Sequence, residues 1–199
     1  MITLYDYLPS GNGYKVRLLL RQLGRDYTLV EKDIVKGETK TPEFRALNPN
    51  GRIPVFVDGD VALSESNAIL FYLAEGTDFL PEGRLTRAQA LQWMFFEQYS
   101  HEPNIATVRH WLCHLGRTED EPAVQEKRAA GYRALDVMEG HLAAHAYFVG
   151  ERYSIADIAL YAYTHVAEEG GYDLERYPAI RVWLGRVRRQ PNHALITEK

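Results

Sequence analysis

Two short segments of this chain put hydroxyl, amide and carboxylate groups where a backbone commonly holds small polar ligands. Ser10-Gly11-Asn12-Gly13 follows Pro9 and stands between a β-branched, aromatic run and a run with helical spacing. A hydroxyl at a turn that opens a helix can cap that helix, or it can donate to an anion beside the helix's positive end. Asn12 serves equally as a turn residue or as an amide donor. Glu65-Ser66 stands at the start of a second helical run through Ala68, Ile69, Tyr72 and Leu73. Ser66 reads as the N-cap of that helix and Glu65 as a charge favoured by its dipole. The same pair could receive a carboxylate on the hydroxyl and free N–H groups, and an ammonium on the acid. Pro54 enters the apolar run Val55–Val57, a position where a strand tolerates a residue without an N–H. Arg52 and Lys40 flank this region as cations that could pair with a carboxylate or stay solvated.

Other chemistry-bearing groups read more plainly as structure. Ser154-Ile155-Ala156-Asp157 has the spacing of a capping box, with Ser154 at the N-cap and Asp157 bonding back to it. His110 and His114 are four apart, a spacing that suits a metal pair on a helix, but no third ligand follows at a recognisable distance, so no metal is expected. Cys113 is the single cysteine; it has no disulfide partner in the chain and reads as a small buried hydrophobe. Trp93, Phe95, Phe96, Tyr99 and Trp111 are in part core by helical spacing. Tyr99, Arg109 and Trp111 are the candidates for the wall of an apolar substrate pocket.

The elements that must position these residues change character along the chain. Ile2 to Tyr7 and Tyr27 to Ile34 read as strands, with a helix between them that carries Val16, Leu19, Leu20 and Leu23 and stops at Gly24. Pro42 to Leu47 reads as a short helix and Asn48-Pro49-Asn50-Gly51 as a turn. Val55–Val57 and Val61–Leu63 form a hairpin around Asp58-Gly59-Asp60, and the Ser66 helix follows. After a linker from about Glu75 to Thr86, only helical periodicity remains, on Leu91, Met94, Phe95 and Gln98, on Leu135, Met138 and Leu142, from Ser154 to Val166, and from Ile180 to Val187. The expected fold is therefore an α/β domain over residues 1–78 followed by an all-α domain over residues 86–199.

Composition limits the partners. Of the 199 residues 46% are hydrophobic, and the net charge of −4 gives no general attraction to nucleic acid or to an anionic membrane. The cluster Arg181, Arg186, Arg188 and Arg189 reads as a solvated helix face. The first residues lack the pattern of a signal peptide and no apolar run reaches transmembrane length, so the cytoplasm is the expected location.

Four segments in order, YDYLPSGNGYKVRLLL, NPNGRIPVFVDG, LSESNAILFYLAE and YSIADIALYAY, resemble the cytosolic glutathione S-transferase family, and with the α/β-then-all-α order the likeness covers essentially the whole chain. The resemblance implies a thioredoxin-like first domain that binds glutathione as co-substrate. It implies a cis Ile53-Pro54 bond, with Ile53 pairing β-fashion with the cysteinyl unit. It implies that Glu65 and Ser66 hold the γ-glutamyl end and that Arg52, with Lys40, meets the glycyl carboxylate. Ser10, with Asn12 as helper or substitute, stands where the family activates the thiol. Tyr5 and Tyr7 are alternatives that precede the turn. The Ser10-Gly11-Asn12-Gly13 segment is similar to the serine-using, theta-like bacterial groups, and also to the nu group, where a threonine-x-asparagine pair occupies the spot. The implied activity is glutathione transfer to a small, apolar electrophile, a detoxification chemistry, by a homodimer. Glutathione-dependent disulfide reduction and a non-catalytic scaffold are the alternatives.

Overall fold

The computed structural model describes residues 1–199, which divide into two compact units, Met1–Glu75 with Pro191–Lys199, and Gly76–Gln190. The first unit is built on four strands: β1 (Ile2–Asp6), β2 (Tyr27–Glu31), β3 (Val55–Asp58) and β4 (Val61–Ser64). Their order is β2-β1-β3-β4. β1 and β2 run parallel with Ile2 opposite Tyr27, and β1 and β3 antiparallel with Leu4 opposite Phe56. β4 pairs antiparallel with β3. The parallel step needs a crossover, which α1 (Gly11–Gln22) supplies. β2 is shorter than its apolar pattern predicts, because Asp33 caps a turn through Val35 and Lys36 that ends the strand.

α1 and α3 (Ser66–Ala74) pack together, and Val16, Leu19, Leu20, Ile69, Leu70 and Leu73 are buried with Leu4, Val55 and Phe56. Between them in sequence, α2 (Pro42–Leu47) starts on a Thr41 cap and sets Phe44 edge-on against Tyr5, ring centroids 6.1 Å apart. α1 also buries two cations, Lys15 and Arg17. Arg17 Nε donates to Asp6 Oδ2 at 2.9 Å, and both side chains are sealed from solvent. Burial pushes the Asp6 carboxyl up to about 6 against the lowering pull of Arg17. Gly13 makes this packing possible: a Cβ there would stand 1.5 Å from Asp6 Oδ1. Residues Pro191–Lys199 complete the unit. Tyr14 Oη donates to Ala194 O at 2.7 Å, and Arg17 Nη1 donates to Ile196 O at 3.1 Å and Glu198 O at 2.6 Å. No helical or strand periodicity in this segment signals its return.

The second unit holds α4 (Arg84–Phe96), α5 (Glu102–His114), α6 (Pro122–Leu142), α7 (Ile155–Thr164) and α8 (Pro178–Arg188). Its one extended pairing is an isolated bridge between Val149 and Arg152. α4 continues into α5 through a π-helical stretch, Glu97–His101, which shifts the register of the apolar face. Phe95, expected on the inner face with Leu91 and Met94, is 70% exposed, because the buried stripe runs through Ala90, Met94 and Glu97 and a residue next to Met94 points about 100° away from it. All ten residues of α7 are buried, as an all-round apolar sequence requires. Its capping box is present: Ala156 N donates to Ser154 Oγ at 3.3 Å and Ser154 N donates to Asp157 Oδ2 at 3.0 Å. Asp157 does more than cap. Its Oδ1 accepts from Trp183 Nε1 at 2.9 Å and from Phe148 N at 3.2 Å, tying α7 to α8 and to the loop before it. Burial pushes its carboxyl up to about 7 against these donors.

Candidate functional site

Three loops of the first unit carry the candidate residues, and hydrogen bonds join two of them directly. The turn after β1 brings Ser10 to the capping position of α1, yet the Ser10 hydroxyl makes no capping bond to the helix. Its backbone closes the turn instead, with Ser10 N donating to Tyr7 O at 2.7 Å. Asn12 lies in the first turn of α1. Its Oδ1 accepts from Ser66 Oγ, 54 residues away in sequence, at 3.2 Å. Lys15, one turn on, lies beneath both: its Nζ donates to Asn12 Oδ1 at 2.9 Å, to Ser66 Oγ at 3.3 Å and to Asn67 Oδ1 at 3.5 Å.

Ser66 is the first residue of α3, and the capping position belongs to Glu65, correcting the expectation that Ser66 is the N-cap. The reason is backbone geometry. Glu65 has φ of 68° and ψ of 110°, which turns the chain sharply out of β4 and starts the helix one residue early. A side chain at positive φ costs on the order of 1–3 kcal/mol and persists where surrounding structure enforces it. The turn leaves the Glu65 carboxylate exposed and the Ser66 hydroxyl directed at Asn12 and Lys15, with the first N–H groups of α3 beside them.

The third loop precedes β3. Asn48 organises it: its Nδ2 donates to Arg52 O at 2.8 Å and its Oδ1 accepts from Asn50 N at 3.1 Å. Gly51 adopts φ of +61° and its carbonyl accepts from Lys40 Nζ at 2.6 Å. Lys40 thus braces the turn next to Arg52, whose side chain is exposed. The Ile53–Pro54 peptide is cis. Ile53 lies just before the sheet, whose registered pairs begin at Val55.

The second-unit candidates do not gather. Tyr99 is 88% exposed on the π-helical stretch. Arg109 Nε donates to Glu169 at 2.7 Å, while the Trp111 ring, two residues on, lies under the Arg117 guanidinium at 4.0 Å. Residues two apart on a helix face different ways. Cys113 is exposed, its Sγ 3.7 Å from Glu169 O, which corrects the expectation of a buried thiol; the inward face of α5 is taken by Ile105, Ala106, Val108 and Arg109. The His110 and His114 rings lie 5.4 Å apart, tilted at 39°, and burial together with the neighbouring His114 and Arg109 holds His110 below the usual imidazole range. No group of three metal-ligating side chains exists in the structure. No helix is long and apolar enough to cross a membrane.

Lys15 and Asn67 are the site residues that sequence reasoning missed. A signal was present for Lys15: it stands four residues before Leu19 and three after Asn12, so a cation falls on the buried stripe of α1.

Residues 1–75 match the family described as Glutathione S-transferase, N-terminal domain, and residues 76–191 match Glutathione S-transferase, C-terminal domain. The chain belongs to the glutathione S-transferase family. It is 35% identical to the disulfide-bond oxidoreductase YfcG of Escherichia coli, over 96% of this chain and 92% of that protein. A crystal structure of a glutathione S-transferase from Pseudomonas fluorescens superposes with a TM-score of 0.97 at 50% identity, covering 99% of each chain. A glutathione transferase from Pseudomonas putida, solved with one glutathione disulfide bound per subunit, superposes at 0.86 with 28% identity over 96% of this chain and 88% of that one.

Proposed function

We propose that this chain activates the thiol of glutathione as a thiolate at the Ser10–Asn12 turn and transfers it to a small, apolar electrophile. The observation that carries the reading is the hydrogen bond from Ser66 to Asn12, which makes one site of two segments far apart in sequence. Glutathione needs several recognitions at once, and each has a match in the first unit. The γ-glutamyl carboxylate meets Ser66 and the N-terminus of α3, and its ammonium meets the exposed Glu65. The cysteinyl unit pairs with Ile53 ahead of β3, beside Pro54. Arg52 receives the glycyl carboxylate, with Lys40 holding the loop on which Arg52 stands. The sulfur then lies at the turn that opens α1. There the helix's positive end and the donors Ser10 and Asn12 favour the anion over the neutral thiol. The thiolate forms a C–S bond with the electrophile and the leaving group departs as an anion.

A second reading is glutathione-dependent disulfide reduction. The likeness to YfcG and to the transferase solved with glutathione disulfide favours it, as does an asparagine already held in a hydrogen-bonded network. Here the thiolate attacks one sulfur of a disulfide and the other leaves as a thiolate that takes a proton; a second glutathione thiolate then attacks the glutathione sulfur of the mixed disulfide and releases the remaining substrate sulfur as a thiol, so the substrate is reduced by two electrons and two glutathiones are oxidised to glutathione disulfide. The Ser10-x-Asn12 pair accordingly ranks the chain with the serine-type, theta-like or nu-like bacterial groups. A cytoplasmic homodimer is part of the same reading.

The test is calorimetric titration with glutathione, followed by turnover of a chlorinated aromatic and of a dithiol-forming disulfide. Binding with conjugation of the aromatic supports transfer, binding with disulfide turnover alone supports reduction, and no binding rejects both in favour of a scaffold.

A further inference from the structure

We infer that Lys15 is a positioning residue for the thiolate: its buried ammonium fixes which end of the Asn12 amide faces the site and adds a positive charge behind it. The inference rests on the reading that a glutathione thiol is ionised at this turn.

An ammonium has three donors and no acceptor. Lys15 Nζ stands 2.9 Å from the outer end of the Asn12 side chain, so that end must be the carbonyl oxygen. Ser66 reinforces the assignment. Its oxygen accepts from Lys15 at 3.3 Å, so its proton goes to Asn12 Oδ1 at 3.2 Å; once a γ-glutamyl carboxylate takes that proton, Lys15 alone holds the amide oxygen inward. Both donors of this triangle end on one atom. The amide is planar, and with Oδ1 held inward its NH2 is the end turned away from Lys15. A thiolate beside the turn therefore meets a donor. Without Lys15 the amide could rotate and present its oxygen to an anion, and the effect on the thiolate would change from attraction to repulsion. The ammonium's own charge works the same way, since Lys15 is sealed from solvent and water screens it little.

This also gives a reason for a lysine on the buried stripe of α1. Burying a cation is costly unless it is hydrogen-bonded, and an apolar residue of similar length would satisfy the packing. Lys15 is retained where its donors meet the two polar side chains that join the Ser10–Asn12 turn to the start of α3.

The experiment compares wild type with Lys15→Met, Asn12→Ala and the double variant. Ionisation of bound glutathione is followed by thiolate ultraviolet absorbance, and binding of the peptide frame is measured with S-methylglutathione, which has no thiol to ionise. Lys15→Met should raise the bound thiol's pKa by about one unit and lower kcat about ten- to a hundredfold, with the Kd of S-methylglutathione changed less than about threefold. In the Asn12→Ala background, Lys15→Met should cost clearly less, because the amide it orients is gone. A folded Lys15→Met protein with unchanged thiol pKa and kcat overturns the inference, as does full additivity with Asn12→Ala. Should Lys15→Met not fold, the wild-type protein labelled with ¹⁵N-lysine decides. The Lys15 Nζ resonance should move on saturation with glutathione and move less with S-methylglutathione; equal or absent shifts overturn the inference. Failure of the functional reading looks different, because wild type would then neither bind glutathione nor lower its thiol pKa.

Discussion

Glu65 and Ser66 are neighbours that carry opposite demands. Ser66 gains from its position, with a hydroxyl shared between Lys15 and Asn12, whereas Glu65 is held at positive φ with its carboxylate in solvent. Replacing Glu65 with glycine should relieve the backbone and raise stability by about 1 kcal/mol, while glutathione affinity falls through loss of the ammonium partner. Thermal melting and calorimetry on the same protein check both signs; a loss of stability would show that the turn is unstrained. Ser66→Ala should weaken glutathione binding by about 1–3 kcal/mol, the range for a hydrogen bond to a charged group. Ser10 differs from Ser66 in having no capping bond, so Ser10→Ala should leave the melting temperature nearly unchanged and lower turnover about ten- to a thousandfold. A raised bound-thiol pKa in Asn12→Ala but not in Ser10→Ala would make the asparagine the principal donor and favour the disulfide-reducing reading.

At the scale of elements, Asp157 shows how a motif can be read correctly and still be underestimated. Its spacing from Ser154 predicts a cap, worth about 1 kcal/mol when lost. The structure adds Trp183 Nε1 and Phe148 N as donors to the same carboxylate. Asp157→Ala should therefore cost several kcal/mol, since each buried donor left unmatched costs about 1–3 kcal/mol. Its pH dependence follows from burial. The folded carboxyl titrates at about 7 and the unfolded one near 3.8, so between these values the folded state holds a proton that the unfolded state releases. The stability from this group is fully present below 3.8 and is lost as the pH rises through about 7, at up to about 1.4 kcal/mol per pH unit. Wild type should show this slope relative to Asp157→Asn in denaturant titrations, and parallel curves would contradict it. The contrast marks what sequence makes legible. The hairpin around Gly59, the Pro42–Leu47 helix and the α7 cap are local and declare themselves in neighbouring residues. Trp183 is 26 residues from Asp157, and Ser66 is 54 from Asn12; no periodicity joins them. Phe95 reads as inward only because the buried stripe of α4 takes a charged residue, Glu97, with Ala90 and Met94, and the π-helical stretch leaves α5 hidden behind Pro103.

For the molecule as a whole, Phe95 at the end of α4 and Tyr99 on the π-helical stretch are exposed rings of the kind that subunits cover. A light-scattering mass near twice the 22.8 kDa of one chain is expected, and a monomer at micromolar concentration would reject the dimer. The first unit is not a contiguous stretch: Arg17, closed in with Asp6, also donates to the carbonyls of Ile196 and Glu198. Deleting residues 194–199 should lower stability by about 2–5 kcal/mol, because bonds from a buried charged donor are removed while the charge stays. This arrangement fixes an order of events during synthesis. Arg17 leaves the ribosome 179 residues before the Ile196 carbonyl it binds, at a translation rate of about 5–20 residues per second. Through that interval the first unit waits with Tyr14 and Arg17 lacking their partners from the tail, so it can close only after the whole second unit has been made.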